Sequence, residues 1–96
     1  MFPLHLIVMV GIMPTKTMTD KEKREKERFA KKVGAILQEA RKKKGLTQEQ
    51  LADKADFHRT YIGFMEQGVY SPNLYSLTKI AKALGMKTSE LLKKID

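Results

Sequence analysis

The chemistry of this chain is concentrated between Thr47 and Gly68, TQEQLADKADFHRTYIGFMEQG. The stretch reads as two short helices joined by a tight turn, the second opening on Arg59, Thr60 and Tyr61. A guanidinium, a hydroxyl and a phenol at the start of one helix are suited to touching DNA. No acid/base pair, nucleophile with its base, or metal-ligand spacing accompanies them, so catalysis has nothing in its favour. His5 and His58 lie far apart, and His58 suits turn and cap chemistry better than a catalytic base. There is no cysteine, hence no disulfide framework and no thiolate zinc site. No enzyme, metal or cofactor is expected.

The whole chain has 96 residues, one small domain near the lower end of what buries an adequate core alone. A hydrophobic share of 42% is ordinary, while 31% charged and 7% aromatic residues point to a helical, highly solvated surface. The formal charge is +8, which favours a polyanion, either nucleic acid or an acidic membrane face. The charged run KEKREKER mixes both signs, so it suits a solvated helix rather than a membrane-surface one. No membrane partner is expected, and the absence of cysteine is compatible with a cytoplasmic location.

Residues 1–18 form an apolar leader. Its first fourteen, MFPLHLIVMVGIMP, hold no acidic or basic residue except His5. The run is short of the roughly 20 residues that a membrane span needs, and it lacks the basic region and cleavage site of a secretory signal. A strand or an arm on another subunit would suit Ile7, Val8, Val10 and Ile12. A loose leader, or a start codon assigned upstream of Met13 or Met18, is the favoured reading.

Residues 19–96 then read as one helical domain. Thr19 or Asp20 caps a helix whose first turns are all charge. Phe29, Val33, Ile36, Leu37 and Ala40 supply its apolar face, and Gly45 stops it after three lysines. Leu46 is a core anchor. Thr47 with Gln50 is a capping box for the second helix, which buries Leu51, Ala52 and Ala55. Asp56–His58 form the turn with Phe57 inward. The third helix runs from about Arg59 to Gln67, burying Ile62 and Met65 and ending at Gly68. Pro72 keeps Ser71 out of helix, and Asn73 caps a fourth helix striped by Leu74, Leu77, Ile80, Ala81 and Leu84. Gly85 ends that helix. A last short helix opens at Lys87 or Thr88 and carries Leu91, Leu92 and Ile95.

Residues 33–92 resemble the Cro/CI-type, or Xre-like, helix-turn-helix family. The resemblance is carried by Arg41, by Gly45-Leu46-Thr47-Gln48 and Gln50-Leu51-Ala52, and by Tyr61-Ile62, Glu66 and Gly68. It continues through Pro72, Leu77, Lys79-Ile80-Ala81, Ala83-Leu84-Gly85 and Glu90-Leu91-Leu92. Within the family, FHRTYI is similar to the turn and recognition-helix start of restriction–modification controller proteins. The resemblance implies an all-α fold, a compact five-helix lambda-repressor-like DNA-binding domain. It also implies a sequence-specific transcriptional regulator of double-stranded DNA, dimeric on a pseudo-palindromic operator.

The same resemblance implies roles. The helix from about 59 to 67 would enter the major groove, with Arg59 as the prime base reader, since a guanidinium pairs with both acceptors of guanine. Thr60 would bond a base or phosphate, or touch a thymine methyl, and Phe64 would offer only apolar contact to bases. Gln48 would anchor a phosphate beside free backbone N–H groups, with Tyr61, Lys43 and Lys44 as further phosphate contacts. Arg41 and Glu66 correspond to a family pair that braces the first helix against the recognition helix. Phe64 departs from the polar residue often found there, and Gly63 departs from a polar residue or alanine. Leu92 and Ile95 would make the dimer contact. The alternative reading is an antitoxin-type module with a separate protein partner that also binds DNA.

Overall fold

The computed structural model describes residues 17–96, so the leader reading for 1–16 lies outside the described residues. Five helices follow in order: α1 (Asp20–Lys43), α2 (Gln48–Ala55), α3 (Arg59–Gln67), α4 (Leu74–Ala83) and α5 (Thr88–Ile95). No strand occurs among the described residues.

Local chemistry sets the boundaries. Thr19 accepts from the amide of Glu22 at 3.1 Å, and Thr47 accepts from that of Gln50 at 3.0 Å, each within a reciprocal capping box. Asn73 accepts from the amide of Ser76 at 2.8 Å and starts α4. The turn between α2 and α3 hinges on Asp56, which takes left-handed backbone at φ 58°. Aspartate tolerates that region better than most residues with a Cβ. His58 then caps α3, its Nδ1 accepting from the amide of Thr60 at 3.1 Å.

The core is one cluster. Leu37, Leu51, Ile62, Met65, Ile80 and Leu91 bring side chains from all five helices into contact, each almost fully buried. Each such side chain contributes about 1.5–3 kcal/mol through removal from water. α1 packs chiefly on α3, α2 packs on α3 and α4, and α5 closes against α1 and α4.

The apolar faces differ from expectation at three places. Phe29 is 51% exposed; the buried face of α1 is instead Ala30, Val33, Gly34, Leu37, Ala40 and Arg41. At 3.6 residues per turn this is a rotation of roughly a sixth of a turn towards small residues. The cause is close approach: a Cβ on Gly34 would lie 2.5 Å from the carbonyl oxygen of Glu66 and also strike that of Met65. Only glycine lets the α3 backbone lie against α1 there. Leu74 is 64% exposed because it occupies the first position of α4, ahead of the turns that α2 and α5 cover. Ile95 is core and Leu92 is exposed, yet both line one open cleft between α5 and α1 that Phe29 also borders.

Candidate nucleic-acid interface

Arg41 and Glu66 hold α3 at its angle. The Arg41 Nε donates to Glu66 Oε2 at 2.6 Å and Nη2 donates to Oε1 at 3.0 Å, a bidentate pair with both side chains buried. Nη1 donates to the Leu46 carbonyl at 2.7 Å, so the same guanidinium also holds the chain entering α2. Hydrogen bonding to Glu66 raises the Arg41 pKa above its ordinary value; burial opposes this, and the Glu66 charge adds to it. The arginine is therefore charged at any physiological pH.

Gln48 belongs to this network. Its Nε2 donates to Glu66 Oε1 at 3.1 Å, which fixes the amide at the first turn of α2. One N–H of that amide is used and the second remains for a ligand. Thr47 satisfies the amide of Gln50, while those of Gln48 and Glu49 have no protein acceptor among the described residues. A capped helix start with free amides and an amide side chain suits a phosphate oxygen.

Two adjoining clefts run between the start of α2 and the exposed side of α3. One, of about 340 Å³, is bounded by Thr47, Gln48, Glu49 and Arg59 above Arg41. The other, of about 260 Å³, is lined by Gln48, Arg59, Thr60, Gly63, Phe64 and Gln67. Arg59, Thr60, Phe64 and Gln48, predicted separately, thus share one outward surface. Gly63 forms its floor: an added Cβ would meet only Gln48 Oε1, at 3.7 Å.

Other expected contacts lie outside these clefts. Tyr61 is half-buried, its ring edge-on to Phe57 at 5.1 Å and tilted against Tyr70 at 6.0 Å. Lys43 pairs with Glu39 at 3.3 Å on the exposed side of α1. The Lys44 ammonium stands beside the Gly85 turn. Residues not foreseen include Glu49 and Gln67, which line the clefts, and Tyr70, edge-on to Phe64 at 5.5 Å. Lys79 was also unforeseen as a contact: its Nζ lies 4.3 Å from the Phe57 ring centre and donates to the Asp56 carbonyl at 3.4 Å, clamping the turn. Aromatic residues spread over a helix, a turn and a loop show no periodicity, so the sequence carried no signal for that cluster.

A short helix pair with a tight turn, the second helix braced and its polar N-terminal side open, defines a helix-turn-helix protein. The chain belongs to the Xre, or Cro/CI-type, helix-turn-helix family, whose profile matches residues 37–91. It is 40% identical over 60 residues to an immunity repressor protein of Bacillus phage phi105, covering 62% of this chain and 42% of that protein. It is 44% identical over 50 residues to the control protein C.BamHI of Bacillus amyloliquefaciens, covering 52% and 62%. The chain thus spans less than two thirds of the length of either of these relatives. The fold also matches the restriction–modification controller protein C.Esp1396I, solved as a tetramer with its natural 35 base-pair operator. That match has a TM-score of 0.61 and 34% identity, over 70% of this chain and 93% of the controller. No helix among the described residues is long and apolar enough to cross a membrane.

Proposed function

We propose that the chain is a sequence-specific transcriptional regulator of double-stranded DNA, acting without a catalytic step, in the cytoplasm, as a homodimer on a pseudo-palindromic operator. The observation that carries this is the shared cleft surface, where Arg59 and Thr60 stand beside Gln48 and the free amides of α2. Readout and phosphate anchoring sit side by side, as a helix lying in a major groove requires. Arg59 pairs with guanine, Thr60 reaches the neighbouring base or phosphate, and Gln48 with the α2 amides holds the backbone. Tyr61, with Lys43 and Lys44 further out, adds weaker attraction to phosphates. The controller and repressor names among its relatives support a regulator of transcription.

Selection of bound duplexes from a random library should yield a two-fold symmetric consensus. On that consensus, Arg59→Ala should cost about 1–3 kcal/mol and relax preference at one base position per half-site. Gln48→Ala should weaken binding to all sequences alike. Titrations at fixed salt measure both. Unchanged selected-site affinity in the Arg59 variant would remove α3 from the groove.

A further inference from the structure

Phe64 is 36% exposed and lines the same cleft as Arg59 and Thr60, so part of its ring faces outward beside them. An apolar ring on a surface otherwise built for polar contact calls for an apolar group on the ligand. Its setting is ordered from behind. The amide of Val69 donates to the Phe64 carbonyl at 2.9 Å and that of Tyr70 does so at 3.4 Å, so the loop after α3 folds back over that residue. The Tyr70 ring then stands at 84° to the Phe64 ring, 5.5 Å away, wedged between it and Tyr61. Edge-to-face pairs of this kind hold a ring in one orientation. Gly63, without a side chain, lines the same cleft as the ring.

In the major groove the one apolar group on a base edge is a methyl at C5 of a pyrimidine, carried by thymine and, where DNA is methylated, by 5-methylcytosine. We propose that Phe64, held in place by Tyr70, selects a pyrimidine C5-methyl group at one position of each half-site. This rests on the reading of α3 as the groove-reading helix. Phe64 is the contact and Tyr70 a positioning residue that touches no base.

The test uses the full chain and the selected duplex, with single-atom changes in the DNA. Deoxyuridine in place of thymidine removes only the methyl, and should weaken binding about fourfold per half-site, the loss of one buried methyl. The substitution should matter at one symmetric position and be silent elsewhere. Placing deoxycytidine or 5-methyldeoxycytidine at that position supplies the other source. A gain on methylation assigns the preference to the methyl whatever base bears it, whereas a deoxyuridine penalty alone assigns it to thymine.

Phe64→Ala should abolish the thymidine–deoxyuridine difference while retaining preference at the Arg59 position. Tyr70→Ala should shrink the same ratio and Tyr70→Phe should restore it, a pattern that general loss of stability does not produce. Equal affinity for thymidine and deoxyuridine at every position, or an undiminished difference in Phe64→Ala, would overturn the proposal with DNA binding intact. Absence of any selected sequence would instead remove the regulator reading beneath it.

Discussion

At the scale of single residues, Glu66 ties two elements to its own: it accepts two hydrogen bonds from Arg41 and one from Gln48. Removing either member of the buried pair strands a charge in the core, at a cost of about 3–5 kcal/mol. Arg41→Ala should lose that much in urea unfolding. Arg41→Lys should recover little, because an ammonium cannot span both carboxylate oxygens and the Leu46 carbonyl together. The arginine adds no pH dependence near neutrality. Its folded pKa is raised, so its stabilisation is complete below the ordinary arginine value and is lost only as pH climbs through the still higher folded one. Stability that rose or fell steeply across neutral pH in the wild type, and not in Arg41→Ala, would contradict this. The pair itself lies 25 residues apart and was legible only through family resemblance. The tie from Gln48 was not legible at all, since nothing in its spacing distinguishes a free surface amide from a bonded one.

At the scale of elements, two glycines inside helices separate packing from propensity. Glycine within a helix costs about 1 kcal/mol relative to alanine. At Gly63 the new methyl would meet only the Gln48 amide at ordinary contact distance, so Gly63→Ala should raise stability by about 0.5–1 kcal/mol. At Gly34 the same change drives a methyl into the α3 backbone, which cannot yield as a side chain would. Overpacking of that kind costs about 1–3 kcal/mol and exceeds the gain in propensity. Gly34→Ala should therefore melt lower than wild type and Gly63→Ala higher; the same sign for both would refute the close α1–α3 contact. Helix limits were legible because caps and stop residues are local chemistry: Thr19, Thr47, Asn73, Gly45 and Gly68 all mark them. The facing of α1 was not. Hydrophobicity scored Phe29, which is exposed, whereas the contact selected Ala30, Gly34 and a paired Arg41, with Ile36 only at the edge of the core.

At the scale of the whole molecule, large apolar groups are exposed at the start of α4, by Leu74 and Tyr75, and on two further surfaces. One surrounds α3, where Phe64 and Tyr70 must stay free if DNA is to enter. The other is an open cleft of about 690 Å³ between α1 and α5, where Phe29 and Leu92 face each other beside Lys32 and Lys93. Self-association that keeps both recognition helices available should use the second, which leaves the cleft beside α3 uncovered in each copy. Leu92→Asp removes the apolar contact while touching no fully buried position, so the fold should melt close to wild type. In sedimentation the variant should run as a monomer where the wild type runs as a dimer. Its affinity for the full palindrome should fall to that for a single half-site, because the joint binding of linked sites is lost. Ile95→Asp serves as the contrast: that side chain is in the core, so its loss should lower the melting temperature first. A Leu92→Asp protein that remained dimeric would move the interface away from the α1–α5 cleft and leave DNA readout by α3 untouched.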